Sequence, residues 1–264
     1  MSAKKSFPCF GLILRETPVK DADKYLTVMS DNRGKISVYA YGARAWKNTI
    51  FGAAQLGVYS EMLIEQKGDF LTLKEASILD SFSNIRTDLV KSALMQYLCD
   101  LTCEVSPEEV RETGTMSLIL NALWCLSNTD KDHRLIKGAF ELRLMCEAGF
   151  QPQLAACDGC GAADINKVAY FDMENGSVIC PDCYSTLELN QLYFEDGRSK
   201  PIKAVSPAVL EAMRFITSID GKKVFSFRID EALFPQFSTV CESYSLYHVD
   251  RSFKTLEFYK NCAL

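Results

Sequence analysis

Apolar and polar positions alternate in short runs over the first third of the chain. Phe10–Leu14, Tyr25–Met29, Ile36–Tyr41, Val58–Glu65 and Phe70–Ala76 are apolar-rich. Turn-forming segments separate them: Lys20–Asp23, Asp31-Asn32-Arg33-Gly34 and Lys67-Gly68-Asp69. Such runs between turn signals predict strands. In Lys35-Ile36-Ser37-Val38-Tyr39-Ala40-Tyr41 the alternation is strict, as in a strand with one buried face. Five strands within about 80 residues fit a small closed barrel such as the OB-fold, a Greek-key barrel that often holds oligonucleotides; an SH3-like barrel has a similar strand count.

From Ile85 the period lengthens. Leu89, Ala93, Tyr97, Leu98, Leu101 and Val105 recur at three- and four-residue steps, the stripe of an amphipathic helix. Ser106-Pro107-Glu108-Glu109 predicts a fresh helix start, with a serine cap, a proline in the first turn and Glu109 closing a capping box. Met116, Leu120, Leu123 and Trp124 would form its apolar face. A third helix is expected over about His133–Ala148, stopped by Gly149 with Pro152 beyond. Ser206-Pro207 opens another that ends near Asp220-Gly221, and a further helix carries Ile229, Leu233, Phe237, Val240 and Tyr244. The pattern describes an α+β multidomain chain: a barrel over 1–80, helices over 81–155, a cysteine-bearing element over 156–185 inserted into them, and more helices over 186–264.

Composition narrows the class. The 264 residues are 48% hydrophobic and 24% charged, which is ordinary globular usage. No stretch approaches the roughly 20 apolar residues that span a bilayer, so no membrane association is expected. Met1–Ser6 holds two lysines, but Pro8, Gly11, Arg15 and Glu16 interrupt any apolar signal core, so the protein is expected to stay in the cytoplasm. Eleven cysteines bear on the same question. Cys9, Cys99, Cys103, Cys125, Cys146, Cys241 and Cys262 are scattered singly, mostly in apolar helical stretches where a free thiol behaves as a small buried hydrophobe. That usage suits a reducing compartment.

The other four read Cys157-x2-Cys160-x19-Cys180-x2-Cys183. Two residues between thiolates allow a tight turn that aims both sulfurs at one metal. Four thiolates close a tetrahedral shell with no open position, a structural zinc arrangement. Between the pairs, Val168–Asp172 and Ser177–Ile179 flank Glu174-Asn175-Gly176, a hairpin with an Asn-Gly turn that would bring the pairs together as in zinc ribbons. Two disulfides, a redox pair or an iron–sulfur cluster are the competing readings; the paired spacing favours one structural Zn2+.

Net charge is −5, against a generally basic nucleic-acid binder, but it is uneven. Residues 1–80 carry 11 basic and 9 acidic groups, while 151–264 carry 11 and 15. The local excess lies at Arg33, Lys35, Arg44 and Lys47, interleaved with Tyr39, Tyr41 and Trp46. Cations with aromatics are how a single-strand groove tracks phosphates and stacks bases. Arg33, Lys35, Arg44, Trp46 and Lys47 are therefore the candidate nucleic-acid contacts. On these residues alone the plainer reading is stronger: Tyr39 and Tyr41 share a strand face that could be core, scattered lysines usually solvate a surface, and Trp46 could either stack on bases or pack in the barrel. With only two histidines, His133 and His248, and no nucleophile motif, phosphate loop or paired-carboxylate cluster, no catalytic residue is expected.

The same residues, in order, resemble the bacterial RecO family of recombination mediators over nearly the whole chain. The resemblance runs through Gly11–Thr17, Asp23-Lys24-Tyr25, Arg33-Gly34-Lys35, Tyr41–Arg44, Leu71–Ala76 and Phe82–Leu89. Its most specific passage is Phe140–Leu144 leading through Glu147–Pro152 into the first cysteine pair, and it closes with Tyr247-His248, Arg251 and Lys254-Thr255-Leu256. Thr255 stands where the family more often has serine, and Arg44-Ala45-Trp46-Lys47-Asn48 where it tends to have Arg-x-x-Lys-Ser. The resemblance implies an OB-fold, a helical domain and a zinc element. It also implies binding of single- and double-stranded DNA, strand annealing, and loading of RecA onto DNA coated by single-strand-binding protein (SSB). The partners it implies are RecR and SSB, at the nucleoid. A zinc-ribbon protein–protein adaptor that never touches nucleic acid is the alternative reading, and a nuclease or RNA-processing enzyme the third.

Overall fold

The computed structural model describes residues 4–194 and 198–263. Two compact units divide the chain: Met1–Asp130 with Phe253–Leu264, and Lys131–Ser252. The helical span expected over 81–155 is thus shared between them. Five strands come first: β1 (Lys5–Val19), β2 (Asp23–Ser30), β3 (Gly34–Ala40), β4 (Tyr59–Lys67) and β5 (Phe70–Asp80). Then follow α1 (Leu89–Val105), α2 (Thr113–Asn128) and α3 (His133–Glu147). The cysteine region holds β6 (Gln153–Cys157), β7 (Ala169–Asp172), β8 (Ser177–Ile179), α4 (Pro181–Ser185), α5 (Leu189–Leu192) and β9 (Ile202–Val205). The remainder is α6 (Pro207–Ser218), α7 (Phe234–Val249) and α8 (Lys254–Cys262).

In the first unit β1 to β5 close into a barrel in the order β1-β2-β3-β5-β4. Closure depends on the length of β1. Its first half pairs with β4 and its second half with β2, and a register shift between Ile13 and Arg15 bends it from one partner to the other. The parallel pair Tyr39↔Thr72 joins β3 to β5. Alternate residues turn inward as the pattern predicts: Leu26, Val28, Ile36, Val38, Met62 and Ile64 form the barrel core. Outside it, α1 starts on Asp88, whose side chain accepts from the Lys91 amide, and packs against β1 and α8. Asp100 of α1 fixes both neighbours. It pairs with Arg15 of β1 and accepts from the Thr255 hydroxyl of α8 at 3.1 Å.

The expected helix start at Ser106–Glu109 does not form. Ser106 is instead the C-cap of α1, Glu109 has φ 57°, and α2 begins at Thr113. Tertiary pairing overrides the local capping signal. Residues 108–111 lie along the β2–β3 turn, where the Glu109 amide donates to the Lys35 carbonyl at 3.0 Å and Arg111 to that of Asp31 at 2.9 Å. The approach needs glycine at position 34: φ is +68° and a Cβ there would stand 1.8 Å from the Val110 carbonyl oxygen. On α2, Met116 and Leu123 are buried, but Trp124 faces outward.

In the second unit α3 packs against α6 and α7. Lys137 of α3 is 1% exposed, yet its ammonium lies 2.9 Å from Glu141 and 2.7 Å from Glu242. Burial opposes its charge, but the two carboxylates prevail and hold its pKa above the ordinary lysine value. Ile229 and Leu233, expected on the next helix, precede α7 in irregular and 3-10 backbone. Near the end of α7, His248 stacks on Phe150 with centroids 4.7 Å apart and meets Tyr244 edge-on.

Candidate metal centre and nucleic-acid interface

The four cysteines meet in space. β7 and β8 form the expected hairpin, paired Tyr170↔Ile179, Phe171↔Val178 and Asp172↔Ser177. The Asp172 carboxylate accepts from the amides of Glu174 and Asn175, which holds the turn. The hairpin sits inside a larger sheet, β6-β8-β7-β9, that draws strands from beyond residues 156–185. β6 ends on Cys157 and β8 leads into Cys180, which caps α4 and places Cys183 in its first turn. All four sulfurs lie within 4.8 Å of one another, and Cys160 Sγ is 3.8 Å from Cys180 Sγ. No pair is oxidised.

Backbone amides prepare this cluster for negative charge. The Cys180 amide donates to Cys157 Sγ at 3.2 Å and the Cys183 amide to Cys180 Sγ at 3.4 Å. Burial works against ionisation of Cys157, but amides of Cys180, Cys160 and Gly159 outweigh it and bring its thiol down to about 6. Hydrogen bonding among the neighbouring cysteine side chains, Cys180 and Cys160 foremost, pushes Cys183 up to about 12. Gly159 keeps the knuckle tight, since a Cβ there would stand 3.1 Å from Cys183 Sγ. Four thiols that converge this closely, with backbone amides aimed at Cys157 and Cys180, can hold a metal ion.

The barrel candidates separate into two groups. Arg33 lies over the Phe7 ring at 3.8 Å and donates to the Gln66 side chain at 3.0 Å. Lys35 donates to the Cys103 carbonyl at 2.8 Å, in the last turn of α1 where unpaired carbonyls carry partial negative charge. Arg44, Trp46 and Lys47 are exposed beyond the end of β3. The Arg44 amide and guanidinium donate to the carbonyls of Ala22 and Lys20, which fastens this loop to the β1–β2 turn. Trp46 is 76% exposed, outside any core, with the Lys47 ammonium 5.2 Å from its ring.

Tyr39 and Tyr41 do not enter the barrel core either. Tyr39 faces out, buried beneath Tyr25, Tyr41 and Phe70, with ring centroids 4.9, 4.5 and 5.7 Å away. Asp23 locks the group from below by accepting from the Tyr39 hydroxyl at 2.6 Å and the Gly42 amide at 2.7 Å. These bonds, the Gly42 amide first, lower the Asp23 pKa; the bond to Asp23 carries Tyr39 up to about 12. Sequence reasoning missed Tyr25 and Phe70. Their only signal was the phase of Tyr25 opposite the inward Leu26, and its register with Tyr39 cannot be read from one strand alone.

Barrel, helices and a four-thiol cluster define a two-unit protein with a cysteine element that could hold a metal ion and an exposed aromatic and basic barrel face. Comparison gives the lineage. The domain described as Recombination protein O N terminal matches residues 5–82, and Recombination protein O C terminal matches residues 86–257. The chain belongs to the RecO family of DNA repair proteins. It is 27% identical over 250 residues to the DNA repair protein RecO of Acetivibrio thermocellus, covering 95% of this chain and 94% of that one. It is 29% identical over 250 residues to that of Symbiobacterium thermophilum, covering 94% of each. No helix among the described residues is long and apolar enough to cross a membrane.

Proposed function

We propose that this chain is a non-enzymatic recombination mediator that binds DNA through its barrel. On this reading it binds single and double strands and anneals complementary ones. With RecR it would help load RecA onto single strands coated by SSB, at the nucleoid in the cytoplasm. The observation that carries it is the exposed group Arg44, Trp46 and Lys47, gathered against the β1–β2 turn of a closed five-stranded barrel. That strand order agrees with an OB-fold, whose strand 2–3 face and neighbouring loops take up oligonucleotides. Arg44, Trp46 and Lys47 make the contacts; Arg33 and Lys35, engaged by their own chain, contribute field more than contact. Annealing needs charge neutralisation and strand approach, with no bond made or broken.

The thiol cluster is proposed to hold one structural Zn2+. A tetrahedron with zinc–sulfur bonds of about 2.3 Å has edges of about 3.8 Å, and the Cys160–Cys180 separation is 3.8 Å. Bound zinc supplies a cross-link between β6, β8 and α4, in a sheet whose strands are only three to five residues long. Metal analysis of the purified chain should return one zinc per chain, and a metal-free chain with an oxidised Cys157–Cys160 pair would contradict it.

Annealing of SSB-coated complementary oligonucleotides by the purified protein tests the main reading. Acceleration that weakens as salt rises supports it. Salt-independent failure to bind any oligonucleotide would favour a zinc-ribbon adaptor acting through proteins alone, and shortening of the input strands would reveal a nuclease.

A further inference from the structure

We propose that Tyr25, Tyr41 and Phe70, seated on Tyr39, are a stacking platform for unpaired bases, and that it makes the barrel discriminate single strands from duplex. The inference deepens the reading of the barrel as a DNA-binding element and rests on it. Its basis is a side of the barrel that the inward core leaves out. Tyr25 and Tyr39 are cross-strand partners on β2 and β3, in the phase opposite to Leu26 and Val38. Tyr41 follows β3 in the same phase, and Phe70 opens β5 beside them. Tyr41 is 56% exposed, Phe70 42% and Tyr25 39%, whereas Tyr39 beneath them is 6% exposed.

Rings clustered on a surface usually bury one another and stop there. Here the lower ring is buried and tethered through its hydroxyl to Asp23, while the upper three keep much of their area in water. A rigid aromatic base carrying exposed rings is suited to receive flat apolar faces at little cost in side-chain ordering, since each ring has only two rotatable bonds. Thr17, Ser37 and Thr27 lie on the same side of β1, β3 and β2, and Arg15, opposite Thr27, is engaged by Asp100.

Charge selects the occupant. The β1–β2 turn and the loop after β3 carry exposed Lys20, Arg44 and Lys47 against exposed Asp21. Asp23 is the remaining carboxylate, and it is engaged by Tyr39 and Gly42. Flat rings flanked by a net positive rim match a chain of bases on a phosphate backbone, where stacking tolerates any base because every base has a π-face. A duplex hides those faces between neighbouring pairs, so it can use only the cations of the rim. A single strand can use both.

The experiment compares a labelled oligothymidylate of about 16 nucleotides with a hairpin duplex carrying the same number of phosphates, by fluorescence anisotropy over a salt series. The variants are Tyr41→Leu with Phe70→Leu, each alone, and Tyr41→Phe. Leucine retains apolar bulk and cannot stack; both positions are exposed, and thermal unfolding checks each variant. The expected result is a loss of about tenfold or more in single-strand affinity for the double variant. Duplex affinity and the slope of log affinity on log salt stay unchanged, and Tyr41→Phe behaves as wild type. Should the double variant fail to fold, Tyr41→Leu alone carries the test, with a smaller loss in the same direction. Unchanged single-strand affinity, or equal losses on both substrates, overturns the platform. If the wild-type chain binds neither substrate, the DNA-binding reading of the barrel fails with it, an outcome distinct from a wild type that binds and variants that bind equally.

Discussion

Arg33 and Lys35 stand where β3 begins; Arg44 and Lys47 stand just past its end. At the first end the guanidinium lies on Phe7 and Gln66, and the ammonium ends α1 by bonding the Cys103 carbonyl. At the second end the Arg44–Lys47 loop is held mainly through backbone, and its side chains face water beside an aromatic platform. One end of the strand uses positive charge to join a barrel to a helix. The other leaves it available to a polyanion. A cation's place in a sequence is therefore poor evidence of its use, and only its partners decide.

Lys137 is the inner extreme among these cations, far more enclosed than Lys35. Lys137→Ala removes the buried ammonium that Glu141 and Glu242 share and should cost about 3–5 kcal/mol in denaturant unfolding. Because the Lys137 pKa is raised, its contribution is complete below the ordinary lysine value and is lost as pH rises through the elevated one. Unfolding should therefore become easier at strongly alkaline pH in the wild type and much less so in the variant. A variant as stable as wild type would show that the buried triad does not hold α3 to α7.

Lys35→Ala comes next in size. It removes a charge-assisted hydrogen bond that is partly exposed, so a loss of about 1.5 kcal/mol is expected by urea unfolding. DNA affinity should keep its salt slope. A flatter slope with unchanged stability would return Lys35 to the DNA-contacting group and break the contrast between the two ends.

The smallest effect concerns the lock under the platform. Tyrosinate absorbance should show Tyr39 ionising at about 12, and Asp23→Asn should bring it down toward the ordinary tyrosine value of about 10. The lock contributes above the ordinary aspartate range and weakens as pH falls through the lowered Asp23 pKa. At the alkaline side it persists past the ordinary tyrosine range and is lost as pH rises through about 12. No shift in the tyrosine titration of Asp23→Asn would detach Asp23 from the platform.

What could be read from sequence follows the range over which each cause acts. The four-cysteine cluster was legible because two residues between cysteines already place paired sulfurs, and the hairpin between the pairs is short. The barrel strands were legible because side chains alternate residue by residue, whatever the partner strand. The commitments of Arg33 and Lys35 were not, since their partners lie 33 and 68 residues away. The false helix start at Ser106–Glu109 has the same origin. Its capping pattern is locally sound, but the β2–β3 turn claims that backbone for pairing. Trp46 shows the same limit: a large apolar residue next to a strand suits either core or surface, and its exposure follows from a loop pinned elsewhere by Arg44.

The most direct test is the salt dependence of single-strand binding for Arg44→Ala with Lys47→Ala, set beside the wild type. Each phosphate contact on single strands contributes about 0.7 to the slope of log affinity against log salt, so the pair should remove about 1.4. Thermal stability should change little, because both side chains are exposed and the Arg44 amide keeps its bond to Ala22 when the exposed guanidinium bond to Lys20 is lost. A folded double variant with wild-type affinity and slope would contradict the account and move the DNA site away from this end of the barrel.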